Sequence, residues 1–161
     1  MKNIFDEIDI KILKMLQENA KIPQAEIASA VNLSLAAVNE RIKKLERSGA
    51  IKKYTAILDP KKLNVNITAF IDVFVEHPKY EDRFMEIMNE HEEVQECHRI
   101  TGDFSFHLKV RVSNIESLEN FVINVLNSIE GVRQTRTYIV LSTSKETISL
   151  PLSSEKNDKE E

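Results

Sequence analysis

Residues 24–49, QAEIASAVNLSLAAVNERIKKLERSG, constrain the fold most, because they write two short amphipathic helices around a break at Asn32, Leu33 and Ser34. In the first helical pattern Ile27, Ala28 and Val31 share a face, and in the second Val38, Ile42 and Leu45 do. Leu33 is placed to plug the angle between them. Ser34 is a good N-cap and Gly49 a good residue to follow a helix, so the second helix carries both a start and a stop. The pattern predicts a helix-turn-helix.

At about 100° per residue, Ala36, Glu40, Lys43, Lys44 and Arg47 point away from the second apolar stripe, while Asn39 and Arg41 flank it. A helix that reads DNA presents small or hydrogen-bonding residues near its N-terminus, where base edges are reached, and cations further along, beside the phosphates. Ser34, Leu35, Ala36, Asn39 and Glu40, followed by Arg41, Lys43, Lys44 and Arg47, keep that order, and Lys52 and Lys53 continue the cations past the helix. A merely solvated face is the plainer alternative, since surface helices also carry Lys and Arg.

Charge distribution bears on that choice. The chain's net charge of −4 argues against a nucleic-acid partner only until it is divided. Residues 1–60 hold 10 cations against 8 acids, whereas residues 61–161 hold 12 against 18. Between Arg41 and Lys53 there are six cations and one acid, Glu46, which is the focused footprint that phosphate binding needs. No apolar run approaches the roughly 18 residues of a membrane span, and the opening MKNIFDEIDI does not read as a signal peptide. A cytoplasmic protein with no membrane partner is the expectation. The single cysteine, Cys97, excludes an intrachain disulfide.

Ahead of the helix-turn-helix, residues 6–19 predict a helix capped by Asp6, with Glu7 and Asp9 at its positive end and Ile8, Ile12, Met15 and Leu16 inward. Pro23 suits the first position of the next helix. Residues 50–58 read as an extended connector or a strand, ending at the Asp59-Pro60 turn. From Asn66 the period changes to two. Ile67, Ala69, Ile71, Val73 and Val75 share one face, and Phe70 and Phe74 lie on the other.

A helix over 80–91 burying Phe84, Ile87 and Met88 follows, then a less regular strand over 94–101. After the Gly102-Asp103 turn, residues 104–112 alternate cleanly, with Phe104, Phe106, Leu108, Val110 and Val112 inward. Residues 115–129 predict one helix with Leu118, Val122, Val125, Leu126 and Ile129 in register, and residues 132–143 a last strand. The order β-α-β-β-α-β predicts an antiparallel four-stranded sheet with both helices on one face. The fold class is therefore α+β, a three-helix helix-turn-helix domain plus a ferredoxin-like domain. The bare Phe70/Phe74 face calls for a second copy of the chain. Expected boundaries are 1–50 for the helical domain, 51–63 for the connector and 64–145 for the sheet domain. The tail, 146–161, is expected to be disordered, having no apolar residue from Ser153 onward.

The segments IDIKILKMLQENAKI, AEIASAVNLSLAAVNERIKKLERSGAIKKYTAILDP, VQECHRITGDFSFHLKVRV and IEGVRQTRTYIVL, in unbroken order over residues 4–148, resemble the Lrp/AsnC family of bacterial and archaeal feast/famine transcription regulators. The resemblance implies double-stranded DNA as partner and an amino-acid-sensing C-terminal domain. It also implies dimers, often assembled four to an octamer, and control of amino-acid metabolism or transport genes. In this family effectors bind between dimers near the loop joining the second and third strands. That loop is Thr101, Gly102, Asp103 and Phe104 here, with Ser105 after it and Thr135 and Thr137 as neighbours from the last strand.

The loop's chemistry fits an amino acid in its own right, because backbone N–H groups around a glycine receive a carboxylate and Asp103 can receive an ammonium. As a bare motif, Gly102-Asp103 is also an ordinary hairpin turn. The chain departs from the family at Ser105, where Asp is usual. The loss of one negative charge points to an effector with a different or more polar side chain than leucine, or to none.

An enzyme is not expected. Cys97, His98 and His107 form the only cluster with metal or nucleophile potential, but adjacent strand residues face opposite ways, so Cys97 and His98 do not share a ligand sphere. No phosphate loop, paired catalytic carboxylates or Ser/His/Asp set is written in the chain, and no metal or cofactor is expected. The remaining alternative to a sequence-specific regulator is an architectural protein that wraps DNA with little sequence preference.

Overall fold

The computed structural model describes residues 5–153, which fall into two compact units. One contains the chain up to Ile57 together with the segment from Glu146, and the other is Leu58–Lys145. No helix among the described residues is long and apolar enough to cross a membrane.

The first unit is three helices, α1 (Glu7–Glu18), α2 (Gln24–Val31) and α3 (Leu35–Arg47). Asp6 caps α1 in a reciprocal box: its carboxylate accepts from Asp9 N–H at 2.8 Å, and the Asp9 carboxylate accepts from Asp6 N–H at 3.4 Å. Pro23 stands just before α2 rather than within its first turn, with φ −59°. Asn32 turns the chain after α2 in the left-handed conformation, φ 54°, which its short polar side chain tolerates. Ile12, Ile27, Val38 and Leu45 are fully buried, and Ala28, Val31 and Ile42 complete the core, with Leu33 packed against it. Each such aliphatic side chain contributes about 1.5–3 kcal/mol.

The expected α1 stripe needs correction. Ile12 is buried as read, but Ile8, Met15 and Leu16 are only half-buried, whereas Ile10 and the acid Asp9 are buried. Residues 52–59 form no strand, so of the two readings the extended connector is the one found. Residues 146–153 also form no regular element. Within them, Leu150 exchanges both backbone groups with the Gln17 amide, at 2.8 and 3.2 Å. The expectation for residues 154–161 lies outside the described residues.

The second unit runs β1 (Ile67–Val75), α4 (Glu81–Glu90), β2 (Val94–Arg99), β3 (Phe106–Val112), α5 (Ile115–Asn120) and β4 (Val132–Ile139). The sheet order is β2-β3-β1-β4, antiparallel throughout, so β1 is central and pairs Val73 with both Phe106 and Thr135. This is the ferredoxin-like arrangement. Ala69, Ile71 and Val73 of β1, with Phe106, Leu108 and Val110 of β3, are fully buried among Phe84, Met88, Phe121 and Leu126.

The second helix of this unit is not the single α-helix expected over 115–129. After α5 the backbone opens into a π-turn over Phe121–Val125 and then tightens into a 3-10 turn over Leu126–Ser128. The extra residue in the wide turn changes which side chains point inward. Leu118, Phe121, Leu126 and Ile129 are buried, while Val122 and Val125 are half-buried.

Gly131 leads into β4 at φ +89°, with the Tyr80 ring packed on its backbone. An added Cβ would stand 2.5 Å from Cγ of Tyr80, in a conformation that L side chains rarely adopt. Gly131→Ala is therefore expected to cost about 2 kcal/mol or more, read as a lower urea midpoint at unchanged m-value.

Candidate nucleic-acid interface and effector loop

The Ser34 hydroxyl accepts from Ala37 N–H at 3.2 Å, which starts α3 and leaves the first-turn residues Leu35 and Ala36 exposed. Glu40, Lys43 and Arg47 are exposed along the same side, and Asn39 is half-buried at its flank. Glu40 stands 3.9 Å from Lys43 and 3.7 Å from Arg47, so the outer face carries a carboxylate between two cations.

Arg41, expected among the cations beside the phosphates, is engaged within the helical unit itself. Its Nη1 donates at 2.7 Å to Asp6 Oδ2 and at 2.7 Å to Asp9 Oδ1, and the side chain is only 28% exposed. Lys44 Nζ also leans to this side, 3.7 Å from Asp9 Oδ2. Desolvation pushes the Asp6 carboxyl up, but the Asp9 N–H bond and the Arg41 guanidinium together outweigh it and hold Asp6 below the usual carboxylate range. The same two acids push Arg41 up by hydrogen bonding.

Beyond α3, Lys52 and Lys53 are exposed and make no ion pair among the described residues. Between them and the next element lies a contact the sequence did not disclose: Tyr54 Oη donates to Glu46 Oε1 at 2.9 Å. Desolvation and this bond push the phenol up to about 12. Tyr54 thus ties the segment that carries the two lysines back to α3.

In the second unit, the β2–β3 connection leaves Thr101, Gly102 and Asp103 exposed and Phe104 buried. Ser105 is engaged by β1: its N–H donates to Val73 O at 2.9 Å, and its hydroxyl accepts from Val75 N–H at 3.1 Å. That hydroxyl anchors the loop to the central strand.

Strand alternation separates the two threonines from the β4 residue that meets the loop. Thr135 and Thr137 pair with Val73 and Ile71, on the side of the sheet that the helices cover, whereas Arg136 pairs with Asp72 on the opposite face. Arg136 lies 4.8 Å over the Phe104 ring, and its guanidinium is pushed up by a bond with Tyr138 and, less strongly, by the Asp72 and Asp103 carboxylates. Sequence reasoning missed Arg136, although its place between two residues already singled out was the available signal.

The uncovered sheet face holds Phe70 stacked on His107 at 5.3 Å, Asp72 at 2.7 Å from His107 Nδ1, and a half-exposed Phe74. Lys109 and His98 each reach Glu96 at 3.2 Å. The His98 bond holds the Glu96 carboxyl low, against partial burial and with help from Lys109. Among the described residues no group of three or more His, Cys, Asp or Glu side chains is placed to hold a metal. Burial raises the Cys97 thiol, the reverse of what a nucleophile needs.

Comparison with known proteins agrees with both halves. Residues 5–52 match the winged helix-turn-helix DNA-binding model, and residues 68–150 match the Lrp/AsnC ligand binding domain. The chain belongs to the Lrp/AsnC family. It is 41% identical over 152 residues to the HTH-type transcriptional regulator FL11 of Pyrococcus furiosus, covering 94% of this chain and 99% of that protein. To the leucine-responsive regulatory protein of Escherichia coli K12 it is 35% identical over 143 residues, 88% of this chain and 87% of that one. A Neisseria meningitidis transcriptional regulator, crystallised as its L-Met complex, matches with a TM-score of 0.88 at 32% identity, covering 91% of this chain and 96% of that one. This Lrp/AsnC chain is accordingly a helix-turn-helix transcriptional regulator and not an enzyme.

The Asp6 contacts carry a pH signature. A carboxyl held below its unfolded value of 3.8 adds stability above that pH and loses it as the pH falls through the lower folded value. Asp6→Asn is therefore expected to lower stability near pH 6 by a few tenths to about 1 kcal/mol, discounted because half the side chain is exposed. The gap from wild type should close as the pH falls below 3.8 and through the lower folded value, as read from urea midpoints.

Proposed function

We propose that this chain is a sequence-specific, dimeric regulator of amino-acid metabolism or transport genes, acting in the cytoplasm, whose β2–β3 loop receives a small α-amino acid. The outer face of α3 carries the DNA part of the reading: small and hydrogen-bonding residues at its N-terminal end, then Lys43 and Arg47, with Lys52 and Lys53 beyond. The compact boundaries proposed are the helical domain at 1–50, the connector at 51–63 and the sheet domain at 64–145. A two-fold dimer that covers the Phe70/Phe74 face sets two copies of α3 against half-sites about 10 bp apart or a multiple of it. Four such dimers forming an octamer is the larger assembly the family resemblance suggests.

DNA binding tests the first half. Arg47→Ala and Lys43→Ala are expected to weaken binding to every duplex and to flatten the dependence of log affinity on log salt by about 0.9 per lost phosphate contact. Asn39→Ala and Glu40→Ala are expected instead to change base preference, by about 1–3 kcal/mol for a good base contact. Equal affinity for all sequences with a steep salt slope would identify a DNA-wrapping protein.

The effector half is supported by Gly102 and Asp103, adjacent and exposed in the β2–β3 connection, and by the L-Met carried by the Neisseria relative. Ser105 anchors the loop, so Asp103 is the proposed partner of the effector's ammonium. Thr135 and Thr137 face away from Arg136, and their part in the site is proposed to come from a neighbouring dimer. A thermal-shift screen of the twenty amino acids, with sedimentation on any hit, is expected to give a shift that Asp103→Ala abolishes. At a hundredfold excess over Kd the gain is about 2.7 kcal/mol. The same ligand should move the dimer–octamer balance, since it binds between dimers. A hit retained by Asp103→Ala removes Asp103 from the site, and twenty blanks indicate regulation without an effector.

A further inference from the structure

Asp9 is the only buried charged or polar residue among those described, with no exposed surface. Removing a carboxylate from water is costly unless close cations and hydrogen bonds replace the solvent. Here Arg41 Nη1 reaches Oδ1 at 2.7 Å, Lys44 Nζ stands 3.7 Å from Oδ2, and Asp6 N–H reaches Oδ2 at 3.4 Å. Arg41 Nη1 also bridges to Asp6 Oδ2 at 2.7 Å. Two acids one turn apart on α1 therefore grip two cations one turn apart on α3.

A hydrophobic residue of similar size at position 9 would fill the space at no desolvation cost, so net stability is a poor account of the pair. Geometry is a better one. The stripe of Ile12, Ile27, Val38, Ile42 and Leu45 holds α3 against its neighbours, but apolar contacts are non-directional and leave rotation of the helix about its own axis loosely set. Bonds of 2.7 Å from one nitrogen to two carboxylates set it. Arg41 lies one residue after Glu40 and two after Asn39, so the rotation it sets is the rotation at which those side chains are presented. Base readout depends on such placement within tenths of an ångström.

We infer that Asp9 and Arg41 are positioning residues for DNA reading: their buried pair fixes the rotation of α3 that brings Leu35, Ala36, Asn39 and Glu40 to the bases, and it withholds Arg41 from the phosphates. The inference rests on α3 being the DNA-facing helix. It departs from treating every cation of α3 as a backbone contact. Desolvation pushes the Asp6 carboxyl up, but the Asp9 N–H bond and the Arg41 guanidinium hold it low, so the Asp6 half of the bridge stays charged further into acid.

The test uses the full chain, a duplex that the wild type selects from a random-sequence pool, and an unselected duplex of equal length, titrated over a salt series below each variant's melting temperature. Arg41→Met and Asp9→Asn are each expected to lower the selected-to-unselected affinity ratio about tenfold, the worth of one good base contact. Both should leave the salt slope at its wild-type value, and the double variant should be no worse than either single one, because the two residues act as one device. A slope flattened by about 0.9 in Arg41→Met, with the ratio intact, would make Arg41 a phosphate contact and overturn the inference. So would a lower melting temperature with both ratio and slope intact, the mark of a plain structural brace. If Arg41→Met does not fold, Asp9→Asn, which keeps the volume and removes the charge that Arg41 meets, carries the test alone; a fall in its ratio at constant slope supports the inference and an unchanged ratio overturns it. A Lys43→Ala slope equal to wild type removes instead the DNA-facing role of α3, and the positioning role with it.

Discussion

The hydrogen bonding of β1 on both of its edges is the constraint on which the second unit depends. Because β1 pairs residue by residue with β3 on one side and β4 on the other, its alternation is imposed on three strands at once. Ala69, Ile71, Val73 and Val75 go under the helices, and Phe70, Asp72 and Phe74 go to the bare face. A slip of one residue would exchange the two sets, exposing the core and burying Asp72, so the register is strongly specified. The Ser105 bonds to Val73 and Val75 pin the same register at the end of the sheet from which the β2–β3 loop springs. The loop's position is a consequence of the core.

The helical unit solves a different problem. Three short helices bury too little surface to be held by packing alone in one geometry, and the sequence adds directional bonds where packing is weakest. Asp6 and Asp9 cap α1 and also reach α3, so one pair of acids serves two elements. Tyr54 does the same at the far end, joining the segment after α3 to Glu46. The result is an α3 whose inner side is fixed by polar contacts as well as by packing and whose outer side, with Glu40, Lys43 and Arg47, is exposed.

Much of this was legible because the signals repeat. The period-two runs in β1 and β3 each told which residues share a face, and the pairing of Ile71 with Leu108 joins the two runs in register. The stripe of Val38, Ile42 and Leu45 was equally plain. What stayed hidden depends on contacts between distant positions or on ambiguous spacing. Asp9, an acid in a first helical turn, has the signature of a solvated partner to the helix dipole, and only the arrival of Arg41 from 32 residues away makes its burial tolerable. Ser105 reads as a missing acid until Val75, 30 residues earlier, is seen to hold its hydroxyl. The π-turn escaped because Phe121 and Val122 both fit a helical stripe, and nothing in the spacing says which is inward.

The outer face of α3 also bears on how such a helix divides its affinity. Glu40 sits within 4 Å of Lys43 and Arg47, and exposed pairs of this kind contribute little to stability, so either cation can exchange Glu40 for a phosphate at small cost. The Glu40 carboxylate then remains beside a polyanion, where it is repelled unless it meets a donor such as the amino group of cytosine. That repulsion acts at every sequence, and its relief at only some. Acids are in excess beyond residue 60, whereas six cations and one acid lie between Arg41 and Lys53, so along the chain the positive charge is concentrated in α3 and the segment after it. A protein that wraps backbone gains from spreading cations over its surface; one that places a carboxylate among its few reading cations lowers its affinity for all DNA and thereby widens the gap between right and wrong sequences.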